Sequence, residues 1–246
     1  MRNSEFRYSD SMRFLRPKGT CGFLLLVLTA LSSFGQSVTS KTNDCPSCTC
    51  ICIQGSIDFA NIIESGNSGS YSIHYSNRIG FNVGVFVFQH LKQISNGQLL
   101  LKGGLQFIQK GSEYSPSDLG DFHGTATLGY LEIPIDILYQ FHLGDNGGLF
   151  AGLGPYFAYG VGGKNKFKFN GYPFSENSFS DSTFKRFDAG LHITAGYRIS
   201  CTWSFSIAYE LGLANIVNSN NSGLSGKNQV FSINVAYCLG RLLNNK

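Results

Sequence analysis

The residues best suited to chemistry in this chain are six ionisable side chains that alternate with apolar residues: Lys102, Glu132, Asp136, Tyr156, His192 and Glu210. Histidine, carboxylates and a tyrosine that lie close together could transfer protons as general acids and bases. The same groups could instead form a buried network without a reaction, because buried charges must be paired and hydrogen-bonded. We expect the network, and so predict no catalytic residue, no cofactor and no metal. The alternative is an acid–base site or a narrow channel that uses His192 and Glu210.

A cysteine cluster is the second group of residues that could do chemistry. The spacing Cys-x-x-Cys-x-Cys-x-Cys over 45–52 could bind zinc or exchange disulfides, and two more cysteines follow at 201 and 238. In an exported protein, structural disulfides are the favoured reading of such residues. We predict that Cys238 lies beside Cys50 or Cys52, and we assign no partner to Cys201. The disulfide candidates are Cys45, Cys48, Cys50, Cys52 and Cys238.

Export is indicated by the N-terminal segment. Arg13, Arg16 and Lys18 precede an apolar run over 22–31, and Ser33-Phe34-Gly35 resembles a signal-peptidase site. The run is shorter than the roughly 20 residues that a membrane-spanning helix needs. We therefore expect a signal peptide over 1–35, a cysteine-rich periplasmic segment over 36–50, a β-domain over 51–240 and a polar tail over 241–246. After cleavage 14 basic and 13 acidic residues remain, so the charge predicts no nucleic-acid partner.

The β-domain is expected because amphipathic segments alternate with connections that are long, then short, then long again. We predict strands over 51–62, 78–90, 98–111, 125–143, 149–162, 185–199, 202–213 and 229–239. The connections 63–77, 112–124, 163–184 and 214–228 are long, and 91–97, 144–148 and 200–201 are short. Long outer loops with tight periplasmic turns are typical of an eight-stranded antiparallel up-and-down transmembrane β-barrel.

Side-chain alternation supports this fold class. In the segment 125–143, apolar residues from Leu131 to Leu143 share one face, and the other face carries Glu132, Asp136 and His142. Aromatic residues of the apolar face gather near strand ends, as they do at membrane interfaces. The apolar face is therefore expected to contact outer-membrane lipid. A soluble lipocalin-like barrel and a two-sheet sandwich are the alternatives.

The expected hairpin registers assemble the six ionisable residues in the lumen. Lys102 is predicted near Glu132 and Asp136, and Asp136 opposite Tyr156. Tyr156 is predicted opposite His192, and His192 opposite Glu210. Eight-stranded barrels are filled by side chains, whereas open channels need about 16 strands. Four glycines with lumen parity, Gly152, Gly154, Gly160 and Gly162, leave some space.

The longest outer connection, 163–184, is a candidate contact surface. Three lysines alternate there with two phenylalanines, which suggests strands that project beyond the membrane. We expect either a solvated hairpin or a contact with a protein or with lipopolysaccharide.

Three sequence blocks resemble a known family. They are Gly103 to Gly111 (GGLQFIQKG), Tyr130 to Pro134 (YLEIP) and Phe150 to Tyr156 (FAGLGPY). Together with the signal peptide they resemble the PorT-type outer-membrane β-barrel proteins of the Bacteroidetes, and the resemblance covers roughly 50–240. It implies a barrel fold and an outer-membrane location, but no single activity. We therefore expect a non-enzymatic barrel with a structural, surface-interaction or secretion-associated role.

Overall fold

Nine β-strands make up the fold in the part of the chain that the computed structural model describes. That part comprises residues 49–65, 73–116, 123–143, 147–169, 172–179, 183–199, 202–218 and 225–241. The strands are β1 (Cys50–Ser65), β2 (Ile73–Ile94), β3 (Gly97–Pro116), β4 (His123–His142), β5 (Gly147–Phe169), β6 (Tyr172–Asn177), β7 (Phe187–Ile199), β8 (Trp203–Gly212) and β9 (Ser225–Arg241). Within these ranges, no helix has the length and apolar character needed to cross a bilayer.

Eight of these strands close into a ring. The hydrogen-bonded order is β4-β3-β2-β1-β9-β8-β7-β5, and β5 pairs with β4 to complete it. Every pairing is antiparallel, and consecutive ring strands are neighbours, so the predicted up-and-down barrel of eight strands is confirmed.

The ninth strand, β6, lies inside the predicted loop 163–184. It pairs with the outer end of β5, which continues to Phe169 rather than ending near residue 162. The alternating lysines and phenylalanines of this segment continue the ladder because their extended backbone finds partners on both sides, in β4 and β6.

Burial is inverted relative to a soluble protein. The charged side chains of Lys110 and Glu132 are fully buried, whereas Ile79 and Leu153 are 68% and 61% exposed. Along β7 and β8 exposed and buried residues alternate, and the apolar residues are those on the outside. Because lysine and glutamate are almost never buried unless paired, and because a broad apolar surface is costly in water, this pattern indicates that the outer face meets lipid.

Aromatic residues mark both edges of the lipid-facing band. Near the periplasmic end the rings of Trp203 and Tyr237 lie 4.8 Å apart between centroids. Near the outer end the rings of Phe59 and Phe231 lie 6.3 Å apart. Such rings at the two interfaces are the aromatic girdles of membrane barrels.

A disulfide crosses the seam where the first and last strands meet. Cys52 and Cys238 are register partners in the β1–β9 ladder, and their sulfur atoms are bonded. The expectation that Cys238 lies beside Cys50 or Cys52 is therefore confirmed, with Cys52 as the partner. Cys50 is buried two residues earlier. The candidates Cys45 and Cys48, and also Cys201, lie outside the described residues.

Loss of this disulfide is expected to weaken the barrel. The bond joins residues separated by 186 positions, and removing a native disulfide typically costs about 2–4 kcal/mol. We expect the double variant Cys52→Ser/Cys238→Ser to unfold at lower urea concentration, and reductant to add little further effect to it. Mass spectrometry of the unreduced protein should recover Cys52 and Cys238 as one linked peptide pair. Recovery of Cys238 as an alkylated free thiol would contradict the assignment.

Candidate functional site

All six predicted ionisable residues lie buried inside the ring. The exposed fraction is between 0% and 5% for Lys102, Glu132, Asp136, Tyr156, His192 and Glu210. They sit on the inward-facing positions of β3, β4, β5, β7 and β8, because alternate residues of a strand point to the same side. The lumen is therefore the place in the described fold where ionisable groups are concentrated.

Two of the predicted pairings are present and three need correction. Lys102 pairs with Asp136, and His192 pairs with Glu210, as expected. Tyr156 instead pairs with Pro134 and with Gly190. Both errors involving Tyr156 have one cause: β5 is displaced by two residues, so that Gly154 takes the position opposite His192.

The third correction concerns Glu132, which lies opposite Gln106 rather than near Lys102. Gln106 donates a hydrogen bond of 2.7 Å from its amide nitrogen to Glu132 Oε1. Glu132 is four residues from Asp136, which corresponds to roughly 13 Å along an extended strand. The two carboxyl groups therefore belong to different levels of the lumen.

The outer level is organised by Lys110, which the sequence did not single out. Its ammonium nitrogen lies 2.7 Å from Glu132 Oε2, 2.8 Å from Glu210 Oε2 and 3.2 Å from Asp188 Oδ2. One cation thus joins β3 to β4, β7 and β8. We call these four side chains, Lys110, Glu132, Asp188 and Glu210, the lysine cluster.

Neighbouring polar groups complete the lysine cluster. The Lys110 ammonium lies 4.0 Å from the centre of the Tyr156 ring, and the Tyr156 hydroxyl donates to Asp188 at 3.3 Å. Asn228 on β9 donates an amide hydrogen bond of 2.9 Å to the same carboxylate. Six of the eight ring strands therefore meet at one buried ion cluster, an arrangement that ties opposite walls of the barrel together.

The periplasmic level contains a different set of groups. His192 Nδ1 lies 2.9 Å from Asp136 Oδ1. The ammonium of Lys102 lies 4.5 Å from the Phe86 ring centre, and the guanidinium of Arg198 lies 4.5 Å from that of Phe88. The histidine and Glu210 are opposite each other in register, yet their charged partners differ. No set of three or more His, Cys, Asp or Glu side chains in the described ranges is arranged to hold a metal ion.

Residues from two outer connections pack over the lumen on the outer side of the lysine cluster. Phe179, Phe184 and Ile216, which we call the outer cap, pack against the buried lumen residues. The ring of Phe179 lies 5.5 Å from that of Tyr130, edge on. A Cβ atom added at Gly160 would lie 2.3 Å from the Phe179 ring, so this glycine is where the cap enters the lumen.

Backbone and side-chain hydrogen bonds fix the outer cap in place. Arg186 donates to the carbonyl oxygen of Gly160 at 2.8 Å, and its guanidinium lies 5.4 Å from the Phe179 ring centre. Phe184 and Val217 form an isolated β-bridge. The space expected beside Gly152, Gly154 and Gly160 is therefore occupied, because an added Cβ at each would collide with neighbouring atoms.

Comparison with known proteins gives a family. Residues 52–218 match the family described as "Outer membrane protein beta-barrel domain". Comparison with curated protein sequences gives no significant match.

Solved structures of outer-membrane proteins are similar at low identity. Ail, the attachment invasion locus protein of Yersinia pestis, is 16% identical, with 78% of this chain and 99% of that chain covered and a TM-score of 0.36. The outer membrane protein OprG of Pseudomonas aeruginosa is 12% identical, with 81% and 99% covered and a TM-score of 0.42.

The family match covers more than half of the chain, and its description agrees with the inverted burial of the strands. The protein is located in the bacterial outer membrane. The chain belongs to the outer membrane protein beta-barrel domain family.

Proposed function

We propose that this protein is a non-enzymatic outer-membrane barrel with a side-chain-filled lumen, which serves a structural, surface-interaction or secretion-associated role. The observation that carries the proposal is the lysine cluster beneath the outer cap. The ion pairs of the lysine cluster and the apolar side chains of the outer cap occupy two successive levels of the lumen. A barrel of eight strands leaves little room beside them.

The finer family assignment is part of the same proposal. The blocks at 103–111, 130–134 and 150–156 support membership of the PorT-type barrels of the Bacteroidetes, and the secretion-associated role is one of the roles proposed for such a barrel. In the structure these blocks form adjacent segments of β3, β4 and β5 and include the lysine cluster residues Lys110 and Glu132.

The alternative, a barrel enzyme or a narrow channel at His192 and Glu210, has less support. A general acid–base pair must reach a common substrate. Here His192 contacts Asp136 while Glu210 contacts Lys110, and both residues are buried. Because the two groups belong to separate buried ion pairs, they are better suited to holding the strands together than to acting jointly on a substrate.

Single-channel recording in planar bilayers tests the filled lumen. We expect the purified barrel to insert into the bilayer without resolved steps in conductance. A general bacterial porin, which gives large conductance steps under the same conditions, is the positive control. Insertion is checked by the shifted gel migration of unheated protein recovered from the bilayer lipid. Reproducible large conductance steps from the inserted wild-type protein would contradict the proposal.

A further inference from the structure

Three lysines project from the outer wall of the barrel because β5 contains a bulge. Gly160 pairs with Tyr130 and Gly162 pairs with Gly129, so Val161 is an extra residue in the ladder. An extra residue reverses the alternation of side chains beyond it. Lys164, Lys166 and Lys168 are consequently exposed on the outward face, whereas Asn165 between them is buried. We call these three lysines the lysine stripe.

The lysine stripe begins where the lipid-facing band ends. Tyr159 and Val161 are the last exposed apolar residues on the outward face of β5. Lys164 follows Val161 by three residues, which is roughly 10 Å along a strand. A strand tilted by about 40° rises roughly 8 Å over that distance. The headgroup region of a leaflet is about 5–7 Å deep. The stripe therefore starts at the headgroup level and continues outward.

Residues without an acidic group flank the lysine stripe on both sides. On β4 its register partners are Thr127, Thr125 and His123, and on β6 they are Asn177, Ser175 and Pro173. Glu176 lies on the opposite face of β6, because it pairs with the inward-facing Asn165. Among the residues that the structure describes, the nearest acidic residue on the outward face is Glu113, which is two strands away, roughly 10 Å.

No ion pair joins the three lysines to another described residue. Neighbouring ammonium groups on one face are about 7 Å apart along the strand. Like charges at this spacing repel one another, and anions placed between them remove the repulsion. The surface is continuous with the lipid-facing wall, so its natural occupant is an anionic group carried by a lipid of the same leaflet.

We propose that Lys164, Lys166 and Lys168 bind the phosphate groups of lipopolysaccharide in the outer leaflet. This inference rests on the proposed surface-interaction role and names the partner of segment 163–184. Lysine is a common phosphate ligand, and the hydroxyls of Thr125 and Thr127 can donate to the same groups. The apolar residues beneath the stripe would contact the acyl chains of the bound lipid.

Native mass spectrometry of the full barrel tests the proposal. The wild-type protein, released from nanodiscs of phosphatidylcholine and lipopolysaccharide, is expected to retain lipopolysaccharide. The variant Lys164→Gln/Lys166→Gln/Lys168→Gln should retain at least tenfold less. A matched variant, Lys92→Gln/Lys185→Gln/Lys227→Gln, loses the same charge elsewhere and should behave as wild type. A lipid A that lacks its phosphates should bind as weakly to wild type as lipopolysaccharide binds to the stripe variant.

The outcomes are distinguishable from failure of the barrel itself. Gel migration of unheated protein shows whether each variant is folded, and bilayer recording tests the filled lumen separately. Equal retention by wild type and the stripe variant, or equal binding of the phosphate-free lipid, would overturn the proposal. Loss of retention in the presence of inorganic phosphate alone would show that phosphate is the bound group and support the proposal.

Discussion

Replacing Lys110 by methionine is expected to lower the free energy of unfolding by about 3–5 kcal/mol, because it leaves buried carboxylates without their cation. Three carboxylate oxygens lie within 3.2 Å of the Lys110 ammonium, and the side chain is fully buried. Methionine has nearly the same length, so the change removes the charge with little change in volume.

The size of this effect follows from burial rather than from the number of ion pairs. Exposed ion pairs contribute about 0.2–1 kcal/mol because water screens them. In the lumen, water is replaced by side chains, so Glu132 and Glu210 depend on Lys110 as their cationic partner. The loss should fall mainly on folding of the barrel, since no reaction is assigned to these groups.

Urea titration of the refolded barrel in lipid vesicles measures the change, with fluorescence of the single tryptophan as the signal. Lys185→Met, at an exposed lysine, is the matched control and should change stability by less than about 0.5 kcal/mol. Adding Glu132→Gln to Lys110→Met should recover part of the loss, because one unpaired charge disappears. A loss below about 1 kcal/mol for Lys110→Met would refute the structural role of the lysine cluster.

Replacing Ile207 by arginine is expected to destabilise the inserted barrel by about 2–4 kcal/mol, the cost of a basic residue on the lipid face near the bilayer midplane. Ile207 lies midway along β8, is 52% exposed and has Ala195 and Ile233 as register partners. In a water-facing sheet the same substitution at a half-exposed position would cost little.

Tyr172→Arg supplies the matched control for this prediction. Tyr172 is more exposed than Ile207, but it lies on β6, beyond the lipid-facing band. We expect its replacement to change stability by less than about 0.5 kcal/mol. The same vesicle unfolding assay measures both variants. Similar, small effects at the two positions would mean that the outward face of β8 is not in lipid.

The fold could be predicted from the sequence because strand alternation and loop lengths are local properties. The segment 125–143 illustrates this, since Leu131 and Ile137 face outward and Glu132 and Asp136 face inward as expected. A strand's faces depend only on its own residues. The pairing register depends on the neighbouring strand and on turn geometry, and so the position that the sequence predicts for Tyr156 differs by two residues from the one observed.

The bulge at Val161 and the outer cap lay beyond sequence reasoning for related reasons. Glycines lie on both sides of Val161, and the sequence does not indicate which residue is left out of the ladder. Simple alternation therefore predicts that Gly162 faces the lumen, whereas in the structure it faces outward. Phe179 and Ile216 lie in connections without periodicity, and their burial depends on long-range packing. Lys110 is in phase with Lys102 and is therefore expected to face the lumen. It stands beside a glycine at the predicted strand end, however, and the sequence does not show which side chains it contacts.

The most direct test of the central assignment, lipid outside and ions inside, is quenching of Trp203 in the wild-type barrel. Trp203 lies on the outward face beside Tyr237 at the periplasmic end of β8. Lipids brominated near the headgroup end of the acyl chain should quench its fluorescence more than lipids brominated at the chain end, and aqueous acrylamide should quench it weakly. In the variant Trp203→Phe/Ile207→Trp the preference should move toward the chain end. Strong acrylamide quenching, with no effect of any brominated lipid at either position, would contradict the account.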